Sequence, residues 1–444
     1  MDAQALFEAM RSGKTSASNV MKAALAAAEA HAELGAVARL LPAEALIAEA
    51  EASYRRTGVF GVPTLAKDLG SAARGLAPAA GSQALRARVE DPRDDSDFFA
   101  AMRGIGFIPI GLTTVPEFGF ALTSDPAKNP FDPALSPGGS SGGAAAAVAA
   151  GIVALAHATD AAGSIRVPAA CCGLWGLKPS RGVTPMGPDY GNYLMGIVGE
   201  FVLTRSLRDL WQCLTVFDPS ASPSASTESR AAKIAVCVPD RCDGAQMQAA
   251  RDMAAMFAAA GMTVTERPAP DVLGAEAHAL AGDILAVSLT EWTASTGLDD
   301  TDLSPLSAAN AAKGRGMTGM HVFGITRRVQ QFAARAIAAL LGADAILMPI
   351  LSGPPPKIGA FSFANTDIAA HLAAMEACAP NAAIANVAGL PALAVPTLTA
   401  DKQPTALQLM GPPGSDSRLM AMANQILPFL PPIPYPAPIA GMPS

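Results

Sequence analysis

Hydrophobic and polar positions along the chain follow the periods of helices and strands in turn. The N-terminal segment predicts helices: Ser16 is a suitable N-cap for a run dense in helix formers, and Pro42 stands where a first helical turn tolerates proline. From Gly58 onward the pattern changes, because glycine, proline and β-branched residues become frequent. There FFAAMRGIGFIPIGL predicts a helix, a glycine turn and the buried strand FIPIGL.

Alternation of helix-like and strand-like segments continues toward the C-terminus. The segment KIAVCVPD predicts a strand, AQMQAARDMAAMFAAAG a helix and MTVTERP a further strand, and ARAIAALLGADAILMPIL repeats the helix–strand order. From Leu427 the chain is rich in proline, which predicts an extended strap on the surface. Neither a sequence repeat nor a linker divides the chain. We therefore expect one α/β unit over residues 1–444, with a helical part at 1–56 and an α/β core at 57–444.

Composition and charge exclude several classes of protein. Among 444 residues, 31 are Lys or Arg and 38 are Asp or Glu, so the formal net charge is −7. An acidic chain without a long basic run is not suited to nucleic acid or to an anionic membrane surface. The longest apolar stretch, Ala144 to Ala156, falls short of the about 20 residues that a membrane-spanning helix needs, and the N-terminus lacks the apolar core of a secretory signal. We expect a cytoplasmic protein without a nucleic-acid or membrane partner.

A glycine–serine run, GGSSGG at 138–143, lies directly before an alanine-rich segment that predicts a helix. Its backbone N–H groups could line a concavity at the helix N-terminus, or the run could be a flexible turn. The run also fits the G-x-S-x-G pattern of α/β-hydrolases, but the prolines of PFDPALSP exclude the strand that this motif needs before it. A phosphate-binding P-loop is excluded because its lysine-containing motif is absent.

Two further segments hold residues suited to acyl-transfer chemistry. In TDAAGSIRVPA, Ser164 follows small residues, so that successive backbone N–H groups can converge on one oxyanion. Asp160 and Arg166 bracket this loop and are placed to pair with each other, although an ordinary polar turn would look the same. In VPTLAKDLG, Lys67 either extends to the surface, as most lysines do, or is buried and neutral and acts as a base.

Taken together, these motifs resemble the amidase signature family of serine hydrolases. Lys67-Asp68, GGSSGG and TDAAGSIRVPAACCGLWGLKPSRG carry the resemblance, with GFIPIGLTTVPEFGF upstream and NVAGLPALAVPT downstream. The resemblance extends from about Gly58 to about Asp416. It implies an α/β/α sandwich with a mixed central β-sheet and an enzyme that hydrolyses the carbon–nitrogen bond of a small amide. It implies neither a metal nor a cofactor.

The family's catalytic residues transfer to this chain one by one. The resemblance implies that Ser164 is the nucleophile, that Ser140 bridges after a cis peptide from Gly139, and that neutral Lys67 is the base. It further implies an oxyanion hole of backbone N–H groups and three supporting side chains. The N–H groups are those of Ala161, Ala162, Gly163 and Ser164, and the supporting residues are Ser141, Asp160 and Arg166.

Several alternatives stay open at this stage. Within the family, an amidotransferase A-type subunit would pass ammonia to a partner acting on charged tRNA, and a non-catalytic homologue would serve as a binding protein. An α/β-hydrolase esterase would need a histidine base, and the sequence singles out none of its five histidines. A small-molecule amide is the partner expected, and a homodimer is left open. Tyr190, Tyr193 and Trp292 are candidates either for a substrate cleft or for packing.

The chain departs from the family at two positions where a glycine is usual, Ala158 and Ala162. The methyl group of Ala162 should narrow the pocket beside the oxyanion hole, so Ala162→Gly should keep activity but change selectivity between acyl chains. We expect a change of about 1–2 kcal/mol in relative kcat/KM, the effect of a methyl-sized change in a pocket. The measurement compares a short-chain with a bulky acyl amide in both proteins. Equal changes for both substrates would show that Ala162 does not shape the pocket.

Overall fold

One β-sheet of eleven strands runs through the part of the chain that the structure, a computed structural model, describes: residues 2–57, 61–185, 193–221 and 232–443. The strands are Val37–Leu40 (β1), Val62–Lys67 (β2), Phe107–Thr113 (β3), Leu155–Asp160 (β4), Trp175–Lys178 (β5), Gly199–Thr204 (β6), Lys233–Val236 (β7), Thr263–Glu266 (β8), Ala345–Pro349 (β9), Ala392–Leu398 (β10) and Pro404–Met410 (β11). The helices are Ala3–Arg11 (α1), Ala17–Ala30 (α2), Ala43–Thr57 (α3), Gln83–Arg86 (α4), Asp97–Gly104 (α5), Gly142–Ala149 (α6), Arg166–Cys172 (α7), Leu207–Phe217 (α8), Gly244–Ala259 (α9), Asp271–Thr296 (α10), Pro305–Arg315 (α11), Gly319–Ala339 (α12), Ile368–Cys378 (α13), Ala382–Ala388 (α14) and Asp416–Ile426 (α15).

The sheet is mixed, as the family resemblance implies. Its strand order is β1-β3-β2-β4-β6-β5-β10-β11-β9-β7-β8. Parallel pairs lie toward both edges, β3–β2–β4 at one and β9–β7–β8 at the other, whereas the central strands from β4 through β9 pair antiparallel. Helices cover both faces of this sheet, so the predicted α/β/α sandwich is confirmed.

Most of the local predictions are confirmed. The Ser16 side chain accepts a hydrogen bond from the backbone N–H of Asn19 and caps α2. The predicted strand FIPIGL lies in the fully buried β3, and the three segments from KIAV to TVTE form β7, α9 and β8. The alanine-rich helix is α6, which begins at Gly142 and is buried along its whole length.

The N-terminal part, expected to be helical, also contains a strand. Val37–Leu40 forms β1 and pairs antiparallel with β3, with Leu40 opposite Gly111. Four residues give too short a pattern for recognition, and their pairing partner lies far along the chain. Gly111 permits the close approach, because a Cβ atom there would lie 2.1 Å from the carbonyl oxygen of Arg39.

Parallel pairing of β2 with β4 brings two important residues to one edge of the sheet. Leu65 of β2 lies opposite Ala156 of β4, so both strands end at the same edge. Lys67 is the last residue of β2, and Asp160 is the last residue of β4. Ligand and catalytic groups commonly gather where the carboxyl ends of parallel strands meet. This edge is therefore where a site would be expected.

The proline-rich C-terminal segment forms a strap, as predicted. After one short helical turn at Leu427–Phe429 it follows an irregular path along the body of the protein. The Tyr435 hydroxyl donates to the carbonyl of Gly173 at 2.6 Å, and the Arg205 guanidinium lies 4.3 Å from the centre of the Tyr435 ring. The N–H of Ala440 donates to the carbonyl of Gly151. These contacts hold the strap against the ends of α6 and α7.

Within the described residues, no helix taken alone has the length and apolarity to cross a bilayer. Helices α13 and α14 are long and apolar enough only when they are counted together, and the chain bends by 104° between them.

Candidate active site

Lys67 is fully buried at the end of β2, and its amine touches three oxygen atoms. The Nζ atom lies 2.8 Å from Ser140 Oγ and 2.7 Å from Thr159 Oγ1. The carbonyl oxygen of Thr159 lies 3.4 Å away. None of these oxygens belongs to a carboxylate. The amine is therefore buried among neutral partners, and its neutral form fits them well. Nζ can donate to all three oxygens, and in the neutral amine its lone pair can instead accept from the Ser140 hydroxyl.

The electrostatic surroundings favour the neutral amine. Burial lowers the pKa of Lys67 to about 7, although the carboxylates of Asp160 and Glu200 act in the opposite direction. Desolvation is the larger effect because a charged ammonium loses its hydration in a dry interior. The charge of Asp160 is in addition balanced by Arg166, whose Nε donates to it at 2.9 Å. A substantial fraction of Lys67 is consequently uncharged near neutral pH.

Ser140 is held beside the lysine by tight packing of glycine-rich backbone. The peptide between Gly139 and Ser140 is cis, as the resemblance implies. Gly119 packs against this serine with a positive φ of 70°, and a Cβ atom there would lie 3.2 Å from Ser140 Oγ and 2.7 Å from the Leu69 side chain. A larger residue at position 119 would displace the hydroxyl. The backbone around Ser140 therefore fixes its position relative to Lys67.

Ser141 connects the glycine–serine run to the loop after β4. Its hydroxyl lies 3.2 Å from the carbonyl oxygen of Thr159, and its N–H donates to the carbonyl of Ser164 at 3.3 Å. The two serine segments, which are distant in sequence, thus run side by side. This arrangement brings the backbone of Ser164 next to Ser140 and Lys67.

The loop from Ala161 to Ile165 is folded around the carboxylate of Asp160. That carboxylate accepts from the N–H groups of Gly163 at 2.7 Å and Ile165 at 3.1 Å. Gly163 adopts a φ of 114°, which favours glycine, and a Cβ atom there would lie 2.7 Å from the Ala382 side chain. The loop therefore folds back onto the end of β4, where Asp160 lies.

A buried cation completes this loop. Arg166 is fully buried and donates to Asp160 through two nitrogens, Nε at 2.9 Å and Nη2 at 3.0 Å. It also donates to Gln408 Oε1 at 2.6 Å and to Asn386 Oδ1 at 2.7 Å. Burial alone would raise the pKa of Asp160, but the charge and hydrogen bonds of Arg166 lower it to about 2. The Asp160 carboxylate is thus ionised and accepts several hydrogen bonds.

The N–H groups expected to form the oxyanion hole differ in whether they already donate a hydrogen bond within the protein. Within the described residues, the N–H groups of Ala161, Ala162 and Ser164 donate to no other group, whereas that of Gly163 already donates to Asp160. Gly163 therefore holds the loop rather than facing a ligand. The φ of Ala162 is not positive, so the alanine fits the backbone here, and its side chain joins an apolar cluster with Leu194 and Ile197.

The Ser164 hydroxyl is the one expected catalytic group that does not touch another. Ser164 is 7% exposed, and no hydrogen bond joins its hydroxyl to any described residue. The structure thus brings Lys67 and Ser140 into contact and places Ser164 beside them through Ser141. Catalytic hydrogen bonds are often absent before a substrate binds.

Several residues of the site escaped sequence analysis. Thr159 lies inside a motif that drew attention to Ser164, Asn386 begins the downstream segment NVAGLPALAVPT that carries the resemblance, and Gln408 lies beyond that segment in β11. His157 Nδ1 accepts from the N–H of Lys67 at 3.2 Å, and its Nε2 lies 3.4 Å from the buried Glu200 carboxylate. Nothing in the sequence pattern pairs these side chains. Only the adjacency of strands brings them together.

Other candidates are not brought into this cluster. Among the described residues, no histidine hydrogen-bonds to Ser140 or Ser164. Cys171 and Cys172 are buried, and burial raises the pKa of both thiols, as expected for structural cysteines. Tyr190 and the side chain of Tyr193 lie outside the described part of the structure.

Comparisons with known proteins agree with one another. The amidase family model matches residues 19–420. A putative amidase, AmiC of Mycobacterium tuberculosis (strain H37Rv), is 30% identical over 452 residues, covering 96% of this chain and 94% of its own length. The 6-aminohexanoate-cyclic-dimer hydrolase of Paenarthrobacter ureafaciens is 29% identical, covering 97% and 95%. Among solved structures, 6-aminohexanoate cyclic dimer hydrolase complexed with substrate aligns with a TM-score of 0.86, at 27% identity and 97% coverage of each chain.

The buried ion pair generates a prediction about stability. Arg166→Met should destabilise the fold by about 3–5 kcal/mol, because it leaves the Asp160 carboxylate buried without its counter-ion. Urea denaturation followed by circular dichroism measures the change. The matched control is Arg315→Met, which removes an exposed ion pair with Asp300 and should change stability by less than about 1 kcal/mol. Equal effects of the two substitutions would contradict the role given to Arg166.

Proposed function

The chain belongs to the amidase signature family and is an amide carbon–nitrogen hydrolase, and we propose that it works through a triad of Ser164, Ser140 and Lys67. The observation that carries this proposal is the contact between the fully buried Lys67 amine and Ser140, with Nζ 2.8 Å from Oγ. A lysine held neutral in this way can accept a proton at neutral pH, which an ordinary surface lysine cannot.

The first half of the reaction forms an acyl-enzyme. Neutral Lys67 accepts a proton from the Ser140 hydroxyl, and Ser140 in turn accepts the proton of Ser164. The Ser164 Oγ then attacks the amide carbonyl, and the carbonyl π-electrons move to oxygen to give a tetrahedral oxyanion. The N–H groups of Ala161, Ala162 and Ser164 are the unengaged donors that would stabilise this oxyanion.

The second half releases both products. As the oxyanion collapses, the carbon–nitrogen bond breaks and the proton returns from Lys67 through Ser140 to the leaving nitrogen, which departs as an amine or ammonia. Water then attacks the acyl-enzyme and gives one proton to the same relay, and collapse releases the carboxylate and restores Ser164. No cofactor is needed for these steps.

The supporting residues act through position. Ser141 fixes the distance between the two serine segments, and Asp160 with Arg166 holds the loop that carries Ser164. Thr159 keeps the lysine amine oriented toward Ser140 through its two oxygens. Each of these residues would change the geometry of the triad without itself exchanging a proton with the substrate.

The alternatives receive less support. A histidine-dependent esterase is disfavoured because none of the described histidines forms a hydrogen bond with either serine. A non-catalytic binding protein would have no use for a buried lysine beside two serines. An amidotransferase subunit receives less support because the two relatives above, at 30% and 29% identity over nearly the full length, are named a putative amidase and a cyclic-dimer hydrolase. The name of the second relative also supports a cyclic amide as a substrate to test.

Removal of the nucleophile tests the proposal most simply. Ser164→Ala should reduce turnover of any amide substrate by about 10³-fold or more, because no other group can form the acyl-enzyme. Amine release measures turnover, and a fluorophosphonate probe measures covalent labelling. Ser141→Ala is the matched control, since it should weaken activity but keep the labelling. Full activity or labelling of Ser164→Ala would end the proposal.

The pH profile tests the lysine. Because the neutral form is active, kcat/KM should rise with pH through about 7 and stay high at alkaline pH. Lys178→Met is the matched control: Lys178 is equally buried, burial also lowers its pKa to about 7, and among the described residues its Nζ donates only to the Pro179 carbonyl. The rise should persist in Lys178→Met, and Lys67→Met should lose activity at every pH. A rise that disappears on replacing one histidine would contradict the proposal.

A further inference from the structure

Glu200 is a buried carboxylate without a lysine or arginine partner. It lies in β6, has 0% of its surface exposed, and is paired with Thr159 in the register between β4 and β6. Its Oε1 accepts from the N–H of Ser71 at 3.0 Å, and its Oε2 lies 3.4 Å from His157 Nε2. Both oxygens thus face donors, which suits the ionised form. Among the described residues, no lysine or arginine comes within ion-pair distance of either oxygen. A buried charge is costly unless it is paired, so this one calls for a role beyond packing.

His157 holds this carboxylate in place and connects it to Lys67. The N–H of Lys67 donates to His157 Nδ1 at 3.2 Å, so the ring proton lies on Nε2 and points toward Glu200. The ring is buried and packs against Phe98 and Phe99, with centroid distances of 4.8 Å and 5.0 Å. An imidazolium would have to give up the hydrogen bond from Lys67. His157 is therefore a neutral donor that holds Glu200 without cancelling its charge.

Glu200 lies close to the Lys67 amine but does not touch it. Thr159, its partner in the strand register, has its Oγ1 2.7 Å from Lys67 Nζ. A Cβ atom on Gly70 would lie 2.6 Å from the Thr159 side chain and 2.8 Å from Glu200 Oε1, so both side chains pack around the same glycine. The oxygens that Nζ contacts belong to Ser140 and Thr159. The carboxylate therefore acts on the amine through its charge, across one layer of side chains.

The other carboxylates near Lys67 already have arginine partners. The Asp160 carboxylate is paired with the buried arginine described above. Asp68, the next residue in the chain, accepts from two backbone N–H groups and lies 3.7 Å from Arg86. Burial lowers the pKa of Lys67, whereas Asp160 and Glu200 act to raise it. Of these three carboxylates, Glu200 alone keeps a charge that no arginine in the described part of the chain balances.

We propose that Glu200, held by His157, is the counter-charge that stabilises the Lys67 ammonium while the relay carries a proton. This inference rests on the proposed function, because it needs Lys67 to be the base. When the proton of Ser164 has passed through Ser140 to Nζ, the Ser164 O–H bond is broken and a new N–H bond is formed on the lysine. The ammonium and the Glu200 carboxylate then compensate each other, and Glu200 itself neither gives nor accepts a proton.

The position of Glu200 one layer away also suits the resting state. A carboxylate in direct contact with the amine would hold Lys67 charged before the reaction, and without any carboxylate the ammonium would be harder to form. Glu200 avoids both conditions. Its hydrogen bonds within the described residues include neither Ser140 nor Ser164, so it is a positioning residue that acts through the lysine.

The test removes the charge and keeps the size of the side chain. In Glu200→Gln the ammonium loses its counter-charge, so the pKa of Lys67 should fall and the rise of kcat/KM with pH should move down by about one pH unit. The plateau above the rise should drop by about three- to tenfold, because one pKa unit is a factor of ten in the stability of the ammonium. Amine release and the rate at which a fluorophosphonate labels Ser164 measure both effects. A merely structural defect would lower the plateau without moving the rise to lower pH.

A second variant removes a side effect of the first. In Glu200→Gln the new NH₂ group faces another donor, either the Nε2–H of His157 or the N–H of Ser71. The double variant His157→Gln/Glu200→Gln places two amides side by side that can donate to and accept from each other, and it should show the same downward shift. Glu200→Asp keeps the charge and should leave the rise in place. The matched control Asp416→Asn should do the same, since it removes another buried carboxylate, which accepts from the N–H of Ser180 at 2.8 Å.

The ¹³Cε shift of Lys67 gives a reading that does not depend on turnover. In the Ser164→Ala background, its titration midpoint should be lower by about one pH unit in both variants that lack the charge. If the rise and the midpoint stay in place in these two variants, or move upward, Glu200 is not the counter-charge. In that case Lys67→Met and Ser164→Ala still report on the triad, because loss of labelling in both upholds it. If either of them is labelled at the normal rate, the proposed function fails first, and this inference fails with it.

Discussion

The site depends on one lysine that is buried without a carboxylate contact. Lys67 ends a strand in the interior of the sheet, and its amine meets only a serine hydroxyl and the two oxygens of a threonine. The cost of desolvating an ammonium there exceeds the attraction of the carboxylates farther away, so the pKa falls to about 7. With a direct carboxylate partner the same lysine would stay charged and could not accept a proton. The absence of that partner suits Lys67 to the role of base in the proposed triad.

Asp160, one of the carboxylates that act on the pKa of Lys67, is bound by a partner of its own. Asp160 is fixed by Arg166 and by the N–H groups of the loop that it folds. Arg166 also reaches Asn386 and Gln408, so this network joins β4, α14 and β11. The same bonds therefore hold the loop that carries Ser164, connect distant parts of the chain, and limit the effect of Asp160 on the lysine. Stability and chemistry are coupled in this region through shared residues.

The sequence predicted the elements that have strong local patterns. It predicted less well which segments and side chains lie next to each other in the folded protein. The cap at Ser16, the strand FIPIGL and the serine motifs have clear local signatures, and the family resemblance added the mixed sheet. The edge strand at Val37–Leu40 is too short to show a period, and its pairing depends on a distant partner. Nothing in the local sequence marks Thr159 or Asn386. Thr159 meets Lys67 because β2 and β4 are parallel neighbours, and Asn386 meets the buried Arg166 only in the folded protein. The engagement of the Gly163 N–H by Asp160 could likewise be found only from the folded loop.

The protonation state of Lys67 is the central claim, and NMR can measure it directly. Protein labelled with ¹³C-lysine, in the inactive Ser164→Ala background, would be titrated while the ¹³Cε shifts are followed, with Lys67→Met and Lys178→Met spectra for assignment. The account predicts a deprotonation midpoint for Lys67 near pH 7. A midpoint near the ordinary lysine value of 10.5 would mean that the amine is charged at neutral pH, and the triad could not work as described.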